Sequence, residues 1–202
     1  MWLRDAQIIG PVMTGLVANL SIEEKIIPYS DPGNKSVLRQ WFARNYAGGV
    51  ILDIGVGRAE VAAQLKQELP GIKLSGVEVW EPYLEGLNLS YLYSEGVWIG
   101  DIREFDWDSV EPEWVLWIDG PEHLEMNEAG NVLKIAVERA SGGVICGSPL
   151  GEYPQGAYEG NEAETHRSVW SPEVFSALGG QDMWRSDVTG LFLLTKARWP
   201  RE

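Results

Sequence analysis

The chain has 202 residues, of which 16 are Lys or Arg and 30 are Asp or Glu, giving a formal charge of −14. That length supports one sizeable core, and the negative field repels phosphate backbones and anionic lipid, which disfavours extended nucleic acid and membrane surfaces as partners. The single cysteine, Cys146, lies in the apolar run GGVICG, cannot form an internal disulfide and reads as a small buried residue. The N-terminal stretch IIGPVMTGLVANL is interrupted by Pro11, Thr14 and Asn19 and is too short to span a bilayer. A soluble, cytoplasmic protein is expected.

Residues 1–33 read as an N-terminal extension ahead of one domain over 34–202. In that domain Asn34 or Ser36 is placed to cap a helix through VLRQWFARNY, whose Leu38, Trp41, Phe42 and Asn45/Tyr46 side would lie against the first strand. From Val50 onward, short apolar runs alternate with helical patterns, as in a parallel sheet covered by helices. The runs are VILDIG (50–55), KLSGVEVW (73–80), GVWIGDI (96–102), WVLWIDG (114–120) and GGVICGSP (142–149). Between them, Val61, Ala62, Leu65 and Leu69 share one helical face, and Met126, Ala129, Leu133, Ala136, Val137 and Ala140 share another.

A loop rich in Gly, Pro and Glu (150–165) leads to SPEVFSALGG, with Ser171 as N-cap, Pro172 in the first turn and a closing glycine pair. The remainder, DMWRSDVTGLFLLTKARW, reads as an antiparallel hairpin with its turn at Thr189-Gly190. The ten tryptophans are scattered and mostly suit the core, with Trp80 and Trp98 expected to line a pocket.

The stretch LDIGVGRAE (52–60) joins the first strand to its helix, where doubly wound sheets bind ligands. Gly55 and Gly57 allow close backbone approach, but Glu60 stands where a dinucleotide fingerprint wants Gly or Ala, and its charge conflicts with a pyrophosphate at the helix start. A dinucleotide oxidoreductase is therefore disfavoured. A cation without phosphate, such as S-adenosylmethionine, meets Asp53, the loop and Glu60 without that conflict. Glu78 ends the second strand, where an acid can accept both ribose hydroxyls, and Asp101 ends the third, where it can accept from an adenine amino group with Ile102 against the ring. Any one of these acids alone reads equally well as an ordinary solvated residue.

The series VILDIGVGRAEVA, LSGVEVWEPYLEGL, GDIREF and WVLWIDGPEHL resembles successive motifs of class I S-adenosylmethionine-dependent methyltransferases, over residues 34 to about 199. The resemblance implies a doubly wound, Rossmann-like α/β sheet of seven strands with the last antiparallel. It also implies that Asp53, Gly55 and Gly57 border the methionine moiety, Glu78 and Val79 the ribose, Asp101 and Ile102 the adenine, and Asp119 the methyl group. One departure is Ala59, where the family's loop often has a third glycine.

Asp119, Glu122 and His123 follow the fourth strand, and the second histidine, His166, lies in the loop after the fifth. Methyl transfer to a hydroxyl needs orientation of the acceptor and removal of its proton, which makes Asp119, His123 and His166 the catalytic candidates. The arrangement Asp-x-x-Glu-His with a distant His-x-x-x-Trp is similar to the divalent-metal site of small-RNA 3′-terminal 2′-O-methyltransferases, which implies magnesium, manganese or zinc on Asp119, Glu122, His123 and His166. Asp119 departs from the glutamate of those enzymes. A metal-free base and a purely structural role for the cluster stay open beside the metal.

The 148–180 stretch also resembles a group of short bacterial-type methyltransferases, which implies that Tyr153, Gln155, Asn161, His166, Ser168 and Trp170 contact the acceptor; Trp170 alone reads better as a plug on the sheet. The leading expectation is O-methylation of a small-molecule or sugar hydroxyl. The alternatives are methylation of an RNA 3′-terminal ribose and a non-catalytic cofactor-binding or interaction module.

Overall fold

The structure, a computed structural model, describes residues 31–201. Residues 1–30, most of the expected N-terminal extension, lie outside the described residues. Seven strands form one sheet: β1 (Val50–Ile54), β2 (Lys73–Glu78), β3 (Val97–Ile99), β4 (Pro112–Ile118), β5 (Gly143–Pro149), β6 (Gln181–Arg185) and β7 (Thr189–Leu194). Their order is β3-β2-β1-β4-β5-β7-β6. All neighbours are parallel except β7, which runs antiparallel to both β5 and β6. This is the expected α/β sheet with its last strand reversed. The strand order changes direction between β1 and β4, so the chain leaves their carboxyl ends toward opposite sides and opens a crevice between them.

Helices cover both faces because the central strands are apolar on both. On β1, Ile51 faces one cluster with Leu38, Phe42, Leu65, Leu74 and Leu116, while Leu52 and Ile54 face another with Leu133, Val137, Phe175 and Phe192. The first cluster lies under α1 (Pro32–Asn45), α2 (Glu60–Glu68) and α3 (Leu89–Leu92), the second under α4 (Met126–Arg139) and α5 (Pro172–Ala177). Asp53, two residues from Ile51, shares the face of the first cluster, which fixes where its carboxyl can reach. Phe175 stacks on Phe192 with ring centroids 4.0 Å apart and lies 4.9 Å from Trp170. A fully buried Phe contributes about 1.5 to 3 kcal/mol from area alone.

Several local expectations need correction. Helix α1 is capped by Asp31, whose side chain accepts from the Gly33 amide at 2.8 Å, with Pro32 at its first position; neither Asn34 nor Ser36 is the cap. Met126 opens α4 at the exposed end of its apolar stripe and is 38% exposed, whereas Ala129, Leu133, Ala136 and Val137 are buried as expected. The hairpin turn lies at Ser186–Val188, where the Ser186 hydroxyl accepts from the amides of Val188 and Thr189 at 3.3 and 3.2 Å; Thr189 and Gly190 belong to β7. Ser171 caps α5 as read, accepting from the Val174 amide. No helix among the described residues is long and apolar enough to cross a membrane.

Candidate active site

A cavity of about 1050 Å³ opens at the carboxyl ends of β1, β2 and β4. It is lined by every residue expected to touch a cofactor, Asp53, Gly55, Gly57, Glu78, Val79, Asp101, Ile102 and Asp119, and by Glu122, His123 and His166. Trp80 and Trp98 are not in its wall; Trp98 sits on the three-residue edge strand β3 and is 37% exposed.

On one side the glycine loop turns through left-handed backbone at Gly55 (φ 77°) and Gly57 (φ 52°), with nothing within 4 Å of where a Cβ would stand at either position. The glycines therefore answer to backbone conformation and leave room at the loop. Ala59 also adopts a left-handed conformation, φ 57° and ψ 28°, at the cap of α2. A glycine would hold that geometry with less strain, a physical reason for the family's third glycine. Glu78 ties the loop to β2: its carboxylate oxygens accept from the Gly57 and Trp80 amides, each at 2.7 Å. Each oxygen keeps a second lone pair for a ligand hydroxyl. Burial raises the Glu78 pKa, and these backbone hydrogen bonds oppose the rise.

Asp53 is 4% exposed, and its Oδ2 accepts from the Tyr93 hydroxyl at 2.7 Å. Burial pushes its pKa from 3.8 up to about 7; the Tyr93 hydrogen bond pulls it down and the Glu78 charge adds to the rise. Asp101 caps a 3-10 turn and is gripped by Arg103, Nε to Oδ1 at 2.9 Å and Nη2 to Oδ2 at 2.5 Å, so its pKa is lowered. An adenine amino group would share this carboxylate with the guanidinium. Lys35 and Glu60 form an ion pair across the first turns of α1 and α2.

On the other side, Asp119 follows β4 at φ 50°, its amide donating to Gly147 O at 3.0 Å. A short acid tolerates that left-handed backbone better than most residues, which fits aspartate here in place of glutamate. Glu122 is 2% exposed, accepts from the Ser148 hydroxyl at 2.9 Å, and has its pKa raised well above the carboxylate range, first by burial and then by the Asp119 charge. The His123 and His166 rings meet edge to face with centroids 4.9 Å apart. One ring nitrogen of each and a Glu122 oxygen lie within 4.8 Å of one another; Asp119 lies outside this group. His166 Nδ1 is 2.5 Å from Tyr153 O. A carbonyl only accepts, so Nδ1 carries the proton and Nε2 the lone pair. The His123 Nδ1 is buried without a hydrogen-bond partner among the described residues. Burial lowers both imidazole pKa values, which favours the neutral rings.

The loop after β5 closes the cavity. The Glu122 carbonyl accepts from the amides of Arg167 and Ser168 at 2.7 and 3.1 Å, pinning the loop to the 3-10 turn Pro121–His123. Tyr153, Gln155, Asn161 and His166 line the cavity, whereas Ser168 and Trp170 do not. Trp170 is 1% exposed and donates from Nε1 to the Ser168 hydroxyl at 2.9 Å, the plug role its sequence suggested. Sequence reasoning missed Tyr83, Tyr93 and Glu164, which meet their partners only through long-range packing; no local motif marks them.

No protein-family model matches the chain, and a search of curated protein sequences returns no match. Solved structures do match. The N-terminal domain of EvdMO1, crystallised with S-adenosylhomocysteine bound, superposes with a TM-score of 0.57 at 13% identity over 81% of this chain and 80% of that one. The PH0226 protein of Pyrococcus horikoshii gives a TM-score of 0.56 at 17% identity over 81% and 89%. The O-methyltransferase NcsB1 of neocarzinostatin biosynthesis, in complex with S-adenosylhomocysteine and 1,4-dihydroxy-2-naphthoic acid, gives 0.51 at 12% identity over 80% and 57%. With the reversed seventh strand and the crevice at the switch point, these matches show that the chain has the fold of class I S-adenosylmethionine-dependent methyltransferases.

Proposed function

We propose that the protein transfers a methyl group from S-adenosylmethionine to a hydroxyl oxygen of a small molecule or sugar. The observation that carries the reading is that a single cavity joins the glycine loop and strand-end acids to the neutral histidine pair. Its volume of about 1050 Å³ suits a cofactor with a small acceptor. In the reaction the acceptor oxygen attacks the sulfonium methyl carbon in line, the C–S bond breaks, and its electron pair stays on sulfur. The acceptor proton passes to an imidazole; His166 Nε2 has the free lone pair for it. The fold neighbours holding S-adenosylhomocysteine support the cofactor assignment, and NcsB1 supports oxygen as the acceptor atom.

Among the described residues, three of the four cations lining the cavity are ion-paired, Lys35 with Glu60, Arg58 with Glu159, and Arg103 with Asp101 and Glu128. That favours a small uncharged acceptor over an RNA end.

A second reading has a specific observation behind it. Glu122, His123 and His166 offer a carboxylate and two imidazoles to one point, a donor set that suits zinc or manganese better than magnesium. The Tyr153 carbonyl would orient His166 as an outer partner orients a ligand. A bound ion would lower the pKa of the acceptor hydroxyl.

The test combines calorimetry of S-adenosylhomocysteine, with and without manganese, with methyl transfer from labelled S-adenosylmethionine to a panel of hydroxyl compounds, before and after chelation. Failure to bind S-adenosylhomocysteine would sink the functional reading. Transfer indifferent to chelator, with no manganese binding, would leave the imidazoles as the base.

A further inference from the structure

The cofactor wall and the acceptor loop are joined by a continuous chain of hydrogen bonds. Tyr83, in the 3-10 turn after β2, donates its hydroxyl to Glu164 Oε1 at 2.8 Å across 81 residues of sequence. Gln155 Nε2 donates to the Glu164 carbonyl at 2.8 Å and contacts Glu164 Oε2 at 3.3 Å. The Gln155 carbonyl then accepts from the His166 amide at 3.0 Å. Beside this chain, Arg58 of the glycine loop lies 5.2 Å from the Tyr83 ring centre and pairs with Glu159 at 3.1 Å. Tyr83, Gln155, Glu164 and His166 all line the cavity, so the chain runs along its wall.

We infer that Glu164 is a positioning residue whose clasp with Tyr83 closes the acceptor loop over the cofactor and holds His166 in place. This rests on the proposed methyltransferase reading, under which Tyr83 belongs to the donor side and His166 to the acceptor side. Two features separate the clasp from an ordinary loop contact. It crosses the crevice, as does the solvent-exposed Arg58–Glu159 pair, whereas the ties from Arg167 and Ser168 to Glu122 and from His166 to Tyr153 stay on the acceptor side. An exposed pair contributes little, which leaves Tyr83–Glu164 as the stronger bridge. It also places a carboxylate, an acceptor with two oxygens, where one donor arrives from each side. With the clasp formed the loop covers the cofactor side; with it open, the loop remains anchored at Glu122 and is held across the crevice by the exposed Arg58–Glu159 pair, a weak tie.

The test uses the full chain, the variants Tyr83→Phe and Glu164→Ala, the second of which removes the side-chain acceptor and keeps the main-chain carbonyl that holds Gln155, and their combination. In the free protein, amide hydrogen exchange over 158–166 should quicken about tenfold in either single variant, the equivalent of one lost charge-assisted hydrogen bond. S-adenosylhomocysteine should dissociate about tenfold faster from either, and the double variant should be no worse than the more affected single, because both remove the same link. Thermal midpoints close to that of the parent protein would show that the fold is intact. Exchange and dissociation both within about twofold of the parent, or effects that simply add in the double variant, would overturn the inference. If the parent protein fails to bind S-adenosylhomocysteine, the functional reading fails instead, while exchange in the free protein still decides the clasp.

Discussion

Replacing Asp53 with asparagine should make the free protein more stable while weakening its affinity for the cofactor. The carboxyl is 4% exposed, and burial moves its pKa from 3.8 to about 7. The folded state therefore holds the proton more tightly than the unfolded chain. Stability then falls as pH rises from about 4 to 7, and above the folded value the cost is fully present and constant. A rise of about 3 units corresponds to roughly 4 kcal/mol at most, and about 2 to 3 kcal/mol of that should develop between pH 5 and pH 8. The side-chain amide of the variant cannot ionise, and its carbonyl can still accept from the Tyr93 hydroxyl. Urea unfolding of parent and variant across that pH range isolates the residue, because every other group is common to both. The advantage of Asp53→Asn should grow with pH by about 2 kcal/mol or more. A pH-independent difference, or a variant less stable at pH 8 than the parent, would refute the reasoning.

Two further outcomes separate site from scaffold. Glu78→Ala removes the acceptor that ties Gly57 to Trp80, so affinity for S-adenosylhomocysteine measured by calorimetry should fall by at least about tenfold. Phe175→Ala empties the stack between Trp170 and Phe192 and should cost about 3 to 5 kcal/mol in urea unfolding with little change in cofactor affinity at low temperature.

The strands were legible because buried strands of a doubly wound sheet are continuous apolar runs bounded by turn residues, as in VILDIG. The strand-end residues followed from them, since Asp53, Glu78 and Asp119 occupy their places by position along the chain. The Asp31-Pro32 pair is a readable helix start, an N-cap followed by a first-turn proline, and it competes in the sequence with Asn34 and Ser36, which have the same capping chemistry. The hairpin turn misled because Gly190 looks like a turn residue. In the structure a Cβ there would stand 2.8 Å from the Phe192 ring and 3.1 Å from Leu150, so the glycine serves packing, while the Ser186 hydroxyl organises the turn. Tyr83 and Glu164 could not be read, because their meeting depends on how a loop after β5 crosses a turn after β2.

The buried acids connect stability to function. Asp53, Glu78 and Glu122 are each no more than 4% exposed, and among the described residues no ion pair reaches them. Burial raises the pKa of all three, so each ionised carboxylate opposes folding of the free protein. Groups held against their own solvation are characteristic of sites that await a ligand. On the proposed reading the ligand is a cation that brings a sulfonium and an ammonium into this negative cavity and restores the ionised forms. Transfer of the methyl group leaves the sulfur neutral, so the same carboxylates that attract the donor lose part of their hold on the product. A cavity with more acids than cations in its wall thus favours entry of the charged form and departure of the spent one, and the chain retains acids that its fold alone would be more stable without.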